Sequence, residues 1–325
     1  MKIGTATAAI VGGLACAQVA QGAAIIDREL ARPEGRRHYI VMQPEAPDAG
    51  KRPVVILLHG HGASAAMMIG QKAFVGLRTD EWARLAAKEN ILLIAPDGVK
   101  GSDGKQAWND CRADATTNAE TDDVGFISAL IDVAIADYRA DPQRIYVFGS
   151  SNGGAMAYRL AIELAPRLAA IGVQSATMPA RSRCRQPTHA LPVFMVHGTG
   201  DKITPYAGGE IGHWLLRGRG TGLSVEESAA IWRKLANLPD TPAVYRFPQT
   251  SDKTAATRFV WGGEAAQAQV ELLRIDGGGH VYSSKTNDMP WLLRKLLGDM
   301  NHDVDTAEEA WSFFKDKRAA PAPSQ

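Results

Sequence analysis

Four short stretches of this chain carry the residue types that acyl transfer requires. Gly149-Ser150-Ser151-Asn152-Gly153 places Ser151 between two flanking glycines, the spacing of a tight strand-to-helix turn that lifts a hydroxyl clear of the backbone. Only the register centred on Ser151 has glycine on both sides, which sets Ser150 aside. A serine hydroxyl is a weak nucleophile until a base takes its proton. Asp276-Gly277-Gly278-Gly279-His280 supplies that base in His280, at the end of a glycine run that lets the ring swing over the serine. Val196-His197-Gly198-Thr199-Gly200-Asp201 supplies Asp201, an acid to orient the imidazole. Leu57-Leu58-His59-Gly60-His61-Gly62 supplies a turn whose backbone N–H groups can face a developing oxyanion. The donors expected there are the N–H groups of His61 and of Asn152, the residue after the serine.

Each stretch has a plainer reading. Glycines after a strand usually only make a turn, and serine is a common helix cap. The combination is stronger than its parts, because serine, acid and histidine follow one another in the chain order expected on a doubly wound sheet. Competing acids are Asp276 and Asp252. Competing histidines are His213, in a Trp-Leu-Leu context suited to a packed helix, and His302, near a helix start; neither follows a strand through glycines. The histidines are scattered rather than at metal-ligand spacing, so no metal and no organic cofactor are expected.

The elements that must position these residues are legible as alternating patterns. Short β-branched or apolar runs at residues 38–42, 54–58, 91–95, 144–148, 169–174, 192–196, 244–247 and 270–275 read as strands, with a further strand at 257–261. Between or after them, residues 79–88, 122–138, 152–164, 225–235, 290–297 and 305–314 have helical period. Continuously apolar strands alternating with helices define an α/β class with a mostly parallel central sheet and helices on both faces. Gly218-Arg219-Gly220-Thr221-Gly222 does not follow a strand, so it reads as a mobile loop rather than a phosphate cradle.

Bulk properties narrow the partners. The formal net charge is only +1, with 36 Lys and Arg against 35 Asp and Glu, so there is no field to gather nucleic acid or anionic lipid. Residues 1–22 read as a signal peptide: Lys2, an apolar run of small residues, then Ala20-Gln21-Gly22 as a cleavage site. That run is too short and too broken by glycine for a span, so stable membrane insertion is not expected. The expected product is exported, periplasmic or extracellular, with one catalytic domain over 23–317 and a disordered tail over 318–325. Without the leader two cysteines remain, Cys111 and Cys184; in an exported protein they read as a disulfide, the alternative being two separate buried thiols.

With these residues in hand, the chain resembles the α/β-hydrolase superfamily, and within it the exported esterases grouped with poly(3-hydroxybutyrate) depolymerases and feruloyl esterases. The likeness runs through LLHGHG at 57–62, APDG at 95–98, AWND at 107–110, DDVGFISALID at 122–132, DPQRIYVFGSSNGGAMAYRLA at 141–161, HGTGDKITPYAGG at 197–209, GGGH at 277–280 and NHDVDTAEEAWSFF at 301–314. It covers about residues 36–316. The resemblance implies the α/β-hydrolase fold, an ester substrate, and Ser151, Asp201 and His280 as a catalytic triad. Val281-Tyr282 stands where the family often has a tryptophan-proline pair, which implies a different pocket beside the histidine. Trp108, Tyr206 and Tyr282 are candidate substrate-binding aromatics, whereas Trp291 reads as packing. No obligate protein partner is evident. A peptidase or thioesterase could use the same residues, and a non-catalytic binding protein on this fold would usually have lost one of them.

Overall fold

The computed structural model describes residues 23–45, 50–73, 79–212, 216–263 and 268–320; the leader and His213 lie outside them. Ten strands form one sheet: β1 (Ala23–Arg32), β2 (Gly35–Pro44), β3 (Arg52–Leu58), β4 (Leu92–Pro96), β5 (Ala140–Ser150), β6 (Ala170–Gln174), β7 (Val193–Gly198), β8 (Ala243–Arg246), β9 (Ala255–Trp261) and β10 (Val270–Asp276). Their spatial order is β1-β2-β4-β3-β5-β6-β7-β10-β9-β8. The central run from β4 to β10 is parallel, and the strands at both edges are antiparallel.

A parallel strand covered on both faces must be apolar at every position. β3 shows it: Val54, Ile56 and Leu58 point into one core with Phe126 and Met156, and Val55 and Leu57 into the other with Trp82 and Phe314. The first face is covered by α3 (Asp123–Asp137), α4 (Asn152–Glu163) and α5 (Val225–Leu235). The second is covered by α1 (Ala65–Met68), α2 (Glu81–Glu89) and α7 (Thr306–Phe314). A seventh helix, α6 (Trp291–Leu297), buries only Leu293 and leaves Trp291, Leu292 and Leu296 exposed. Trp291 therefore packs little, apart from the Lys295 ammonium 4.8 Å above its ring.

The nine expected strands and six expected helices form, with ends shifted by a few residues. β1 was not anticipated. Its sequence, AAIIDRELAR, mixes charged with apolar residues, and pairing along its full length with β2 holds it in the sheet instead. The expected mobile loop at 218–222 is also corrected. Thr221–Gly222 pairs with Gly209–Glu210 as a two-stranded ribbon, Asp114 accepts from the Thr221 hydroxyl at 2.7 Å, and Arg219 is buried. Of the expected tail, residues 321–325 lie outside the described residues; ahead of them Ala319 is buried and its N–H reaches the Gln143 carbonyl at 2.9 Å.

Parallel pairing has a direct consequence for chemistry. β3, β5, β7 and β10 all run the same way. The turns that follow them, carrying His61, Ser151, Asp201 and His280, therefore emerge at one edge of the sheet.

Candidate active site

The turn from β5 into α4 is tight enough to dictate its own sequence. A Cβ on Gly149 would lie 2.1 Å from the Gly153 carbonyl oxygen, and one on Gly153 would lie 2.2 Å from that of Leu58. Both glycines are thus demanded by the close crossing of strand and helix. Ser151 between them has φ 54° and ψ −120°, a left-handed conformation that a non-glycine residue keeps only when its surroundings over-determine it. Its N–H is held by the Gln174 carbonyl at 2.8 Å, so the strain is locked by the neighbouring strand.

His280 and Asp201, 79 residues apart, meet at 2.7 Å between Nδ1 and Oδ2. The other Asp201 oxygen, Oδ1, accepts from the N–H groups of Ile203 and Thr204, each at 2.8 Å. Burial works against the Asp201 charge, but the His280 imidazole, with His197 and the Thr204 N–H, overrides it and holds the carboxyl below its ordinary value. With Nδ1 donating to a carboxylate, the His280 proton is fixed there and Nε2 is left as the acceptor. Ser151 and His280 line one cavity of about 450 Å³. Among the described residues no hydrogen bond is made by the Ser151 hydroxyl or by His280 Nε2.

The turn after β3 packs against the serine: a Cβ on Gly60 would stand 3.5 Å from that of Ser151. His59 anchors this turn. It is fully buried, its Nδ1–H donates to the Gly60 carbonyl at 2.8 Å, and its Nε2 accepts from Gly98 N–H at 2.9 Å. Burial drives its pKa down, which keeps the neutral tautomer that this pair of bonds requires. The N–H groups of His61 and Asn152 find no acceptor among the described residues; for Asn152 this follows from its place in the first turn of α4. The His61 side chain donates from Nε2 to Asp103 at 2.9 Å. Burial, then the nearby Arg219 charge, pull its pKa down to about 4.

Of the three expected substrate-binding aromatics, only Tyr282 lines the cavity. Trp108 is fully buried, with Nε1 donating to the His59 carbonyl at 2.9 Å and its ring 5.0 Å from that of His59. It is a core residue that props the turn. Tyr206 packs against the first core, its ring meeting His197 edge-on at 5.8 Å. Neither competing acid approaches the site: Asp276 pairs with Arg274 at 2.9 Å, and Asp252 is exposed. His302 bonds instead to the Ser284 carbonyl at 2.7 Å.

Beneath the serine lies a network that sequence reasoning missed. The Asn152 side chain accepts from Trp108 N–H at 2.7 Å and donates to Asp110 Oδ2 at 2.7 Å. Asp110 is fully buried and takes Arg112 Nε at 3.0 Å, while Arg112 also donates to the Arg219 carbonyl at 2.6 Å. The acid two residues after the tryptophan in AWND was the available signal, but only the fold brings it under Asn152. Cys111, inside the same loop, is disulfide-bonded to Cys184, with Cα atoms 5.3 Å apart. A cluster of Cys111, Cys184 and Glu163 has ligand-like spacing, yet both sulfurs are committed to that bond. Among the described residues, no helix is long and apolar enough to cross a membrane.

Sheet order and strand direction define the α/β-hydrolase fold, and likeness to known proteins makes the class that of carboxylic ester hydrolases on it. Residues 40–220 match the model of the phospholipase/carboxylesterase family, and the chain belongs to that family. Its similarity to NocK of Nocardia uniformis subsp. tsuyamanensis, an esterase by name, is 28% identity over 86% of this chain and 78% of that protein. Against the bifunctional acetylxylan esterase/xylanase XynS20E of Neocallimastix patriciarum it is 24% over 73% of this chain. Against the poly(3-hydroxybutyrate) depolymerase of Ralstonia pickettii it is 25% over 75%. The chain spans only 30% and 46% of the length of these last two. In fold it is similar to the acetyl xylan esterase from Aspergillus awamori, with a TM-score of 0.58 at 14% identity over 90% of this chain and 99% of that one.

Proposed function

We propose that this protein is an exported serine esterase in which Ser151 is the nucleophile, His280 the general base and Asp201 the residue that orients it. The observation that carries this reading is the strained Ser151 turn sharing one cavity with a histidine whose Nδ1 is bound to a buried carboxylate. In the first half-reaction Ser151 Oγ bonds to the ester carbonyl carbon as its proton passes to His280 Nε2. Asp201 stabilises the resulting imidazolium. The oxyanion is held by the N–H groups of His61 and Asn152, each contributing on the order of 3 kcal/mol to the transition state. Collapse breaks the bond to the alkoxy oxygen, and His280 returns the proton to the leaving alcohol. Water then adds to the acyl-enzyme by the same path, releasing the acid and restoring Ser151.

The esters we propose are hydroxyalkanoate oligomers or polymers and feruloyl or acyl esters of polysaccharides. The names of the relatives support this range, and Tyr282, with Met67, Met68, Leu296 and Leu297, gives the cavity an apolar wall for an acyl chain. Export is supported by the Cys111–Cys184 disulfide, which persists in oxidising compartments. The test is covalent labelling by a fluorophosphonate probe: the wild-type protein is expected to label at Ser151 and the Ser151→Ala variant not at all. A folded wild-type protein that stays unlabelled would sink the proposal.

A further inference from the structure

The protein as a whole is nearly neutral, but the lining of its cavity is not. Three cationic side chains border it, Lys105, Arg112 and Arg219, and among the described residues no aspartate or glutamate does. Their states differ. Arg112 is consumed by its bonds to Asp110 and to the Arg219 carbonyl. Arg219 is 8% exposed, reaches Asp103 through Nη2 alone at 3.3 Å, and has a buried Nε without a hydrogen-bond partner. Asp103 is already shared with His61 at 2.9 Å. Lys105 stands exposed at the rim, its aliphatic stem over Gly62, and has no acid partner among the described residues. Arg219 Nη1 makes no hydrogen bond among the described residues and, unlike Nε, is not fully buried, so it is the group that an incoming carboxylate would meet with a charge-assisted bond.

Lys105 and the incompletely partnered Arg219 belong to one corner. Lys105 packs on the turn that carries His61, and Arg219 is near enough to depress the His61 pKa. That corner adjoins the turn whose His61 N–H is assigned to the oxyanion, whereas the apolar wall of Met67, Met68, Tyr282, Leu296 and Leu297 offers no charge. Resting on the esterase reading above, we infer that the preferred substrate is an ester that also bears a free carboxylate, held by Arg219 and Lys105 beside the scissile carbonyl. A hydroxy-acid oligomer with a free carboxyl end, or an ester of a dicarboxylic acid, has this chemistry; an ester of a neutral alcohol with a simple fatty acid does not.

The test compares kcat/KM for matched esters with and without the charge. On the acyl side the pair is 4-nitrophenyl hemisuccinate and 4-nitrophenyl butyrate; on the alcohol side it is 3-acetoxybutyrate and its amide, which has the same skeleton without the carboxylate. Intrinsic reactivity is removed by dividing by each ester's hydroxide-catalysed rate. The wild-type protein is expected to favour the anionic member of at least one pair by about tenfold, and 0.5 M salt is expected to erode that preference by screening. Arg219→Gln and Lys105→Gln are each expected to reduce the anionic-to-neutral ratio several-fold, the second variant serving if the buried Arg219 change prevents folding. No preference in the wild-type protein for either pair, or a ratio unchanged in every variant that folds, overturns the inference. If Ser151 labels with the fluorophosphonate probe while the preference is missing, the substrate inference alone has failed; if it does not label, the esterase reading has failed first.

Discussion

Asn152 Nδ2 donates to Asp110 Oδ2 across 2.7 Å, fixing the residue that follows Ser151 to a buried acid from a different loop. Asn152 also closes a two-way pairing with the backbone of Trp108, accepting its N–H and donating to its carbonyl at 3.1 Å. A side chain held at three points cannot rotate without dragging the peptide whose N–H is assigned to the oxyanion. Asp110 therefore acts through Asn152, as a positioning residue.

Asp110→Ala removes both the acceptor for Asn152 and the counter-charge for buried Arg112. Leaving a buried charge unpaired costs roughly 3 to 5 kcal/mol. The expected outcome is a lower unfolding midpoint together with a fall in kcat larger than any rise in KM, read from urea melts and steady-state kinetics. Unchanged kcat in the folded fraction would confine Asp110 to a structural role.

Asp201→Asn keeps the shape of the acid but cannot hold the same tautomer at His280. Loss of the equivalent carboxylate in other such sites lowers kcat about ten-thousand-fold, and a loss of that order is expected here. Fluorophosphonate labelling should slow in parallel, while near-ultraviolet circular dichroism stays that of the wild-type protein.

Trp108→Ala is expected to cost about 3 to 5 kcal/mol, because the indole is fully buried and its N–H is bonded to the His59 carbonyl. Selectivity among acyl groups should shift little. A variant with wild-type melting and altered acyl preference would return Trp108 to the pocket.

Stability should fall as pH drops from about 6.5 to about 4. The sign follows from His61, whose folded pKa is about 4 against an ordinary 6.5: below 6.5 the unfolded chain binds a proton that the folded one refuses. Burial lowers His59 and His197 in the same direction. His38 opposes them; burial disfavours its charge, but Asp97 and Asp27 raise it overall, so it adds stability at acid pH. Among the histidines it is three against one, and the carboxyls of Glu81, Asp123 and Glu271, raised by burial, soften the fall toward its acid end; urea midpoints at pH 5 should lie below those at pH 7.5, and His61→Gln should narrow the gap. Asp201, held low, adds its own loss only at still lower pH.

Reduction of the Cys111–Cys184 bond, which joins residues 73 positions apart, is expected to remove about 2 to 4 kcal/mol. Because Cys111 lies between Asp110 and Arg112, activity should decline at temperatures where the reduced protein is still folded. Melting curves and rates with and without dithiothreitol measure both effects.

Much of this molecule can be read along the chain, because the physics involved is local. A strand that is buried on both faces must be apolar throughout, so β3, β4 and β6 announce themselves. A strand and helix crossing within van der Waals distance admit only glycine, so Gly149 and Gly153 mark the serine between them. Ser151, Asp201 and His280 could be nominated for the same reason: each sits just past a strand end, in a turn with few alternatives. Pairing and burial of individual side chains are not local. β1 is held by its ladder to β2 rather than by its own composition, Trp108 turns inward because His59 offers an acceptor 49 positions away, and Asp110 matters because tertiary structure slides it under Asn152. The concentration of cations without acids in the cavity belongs to the same kind. Lys105, Arg112 and Arg219 are unremarkable among 36 basic residues, and only chain folding, which brings positions more than a hundred residues apart to one wall, makes a field of them.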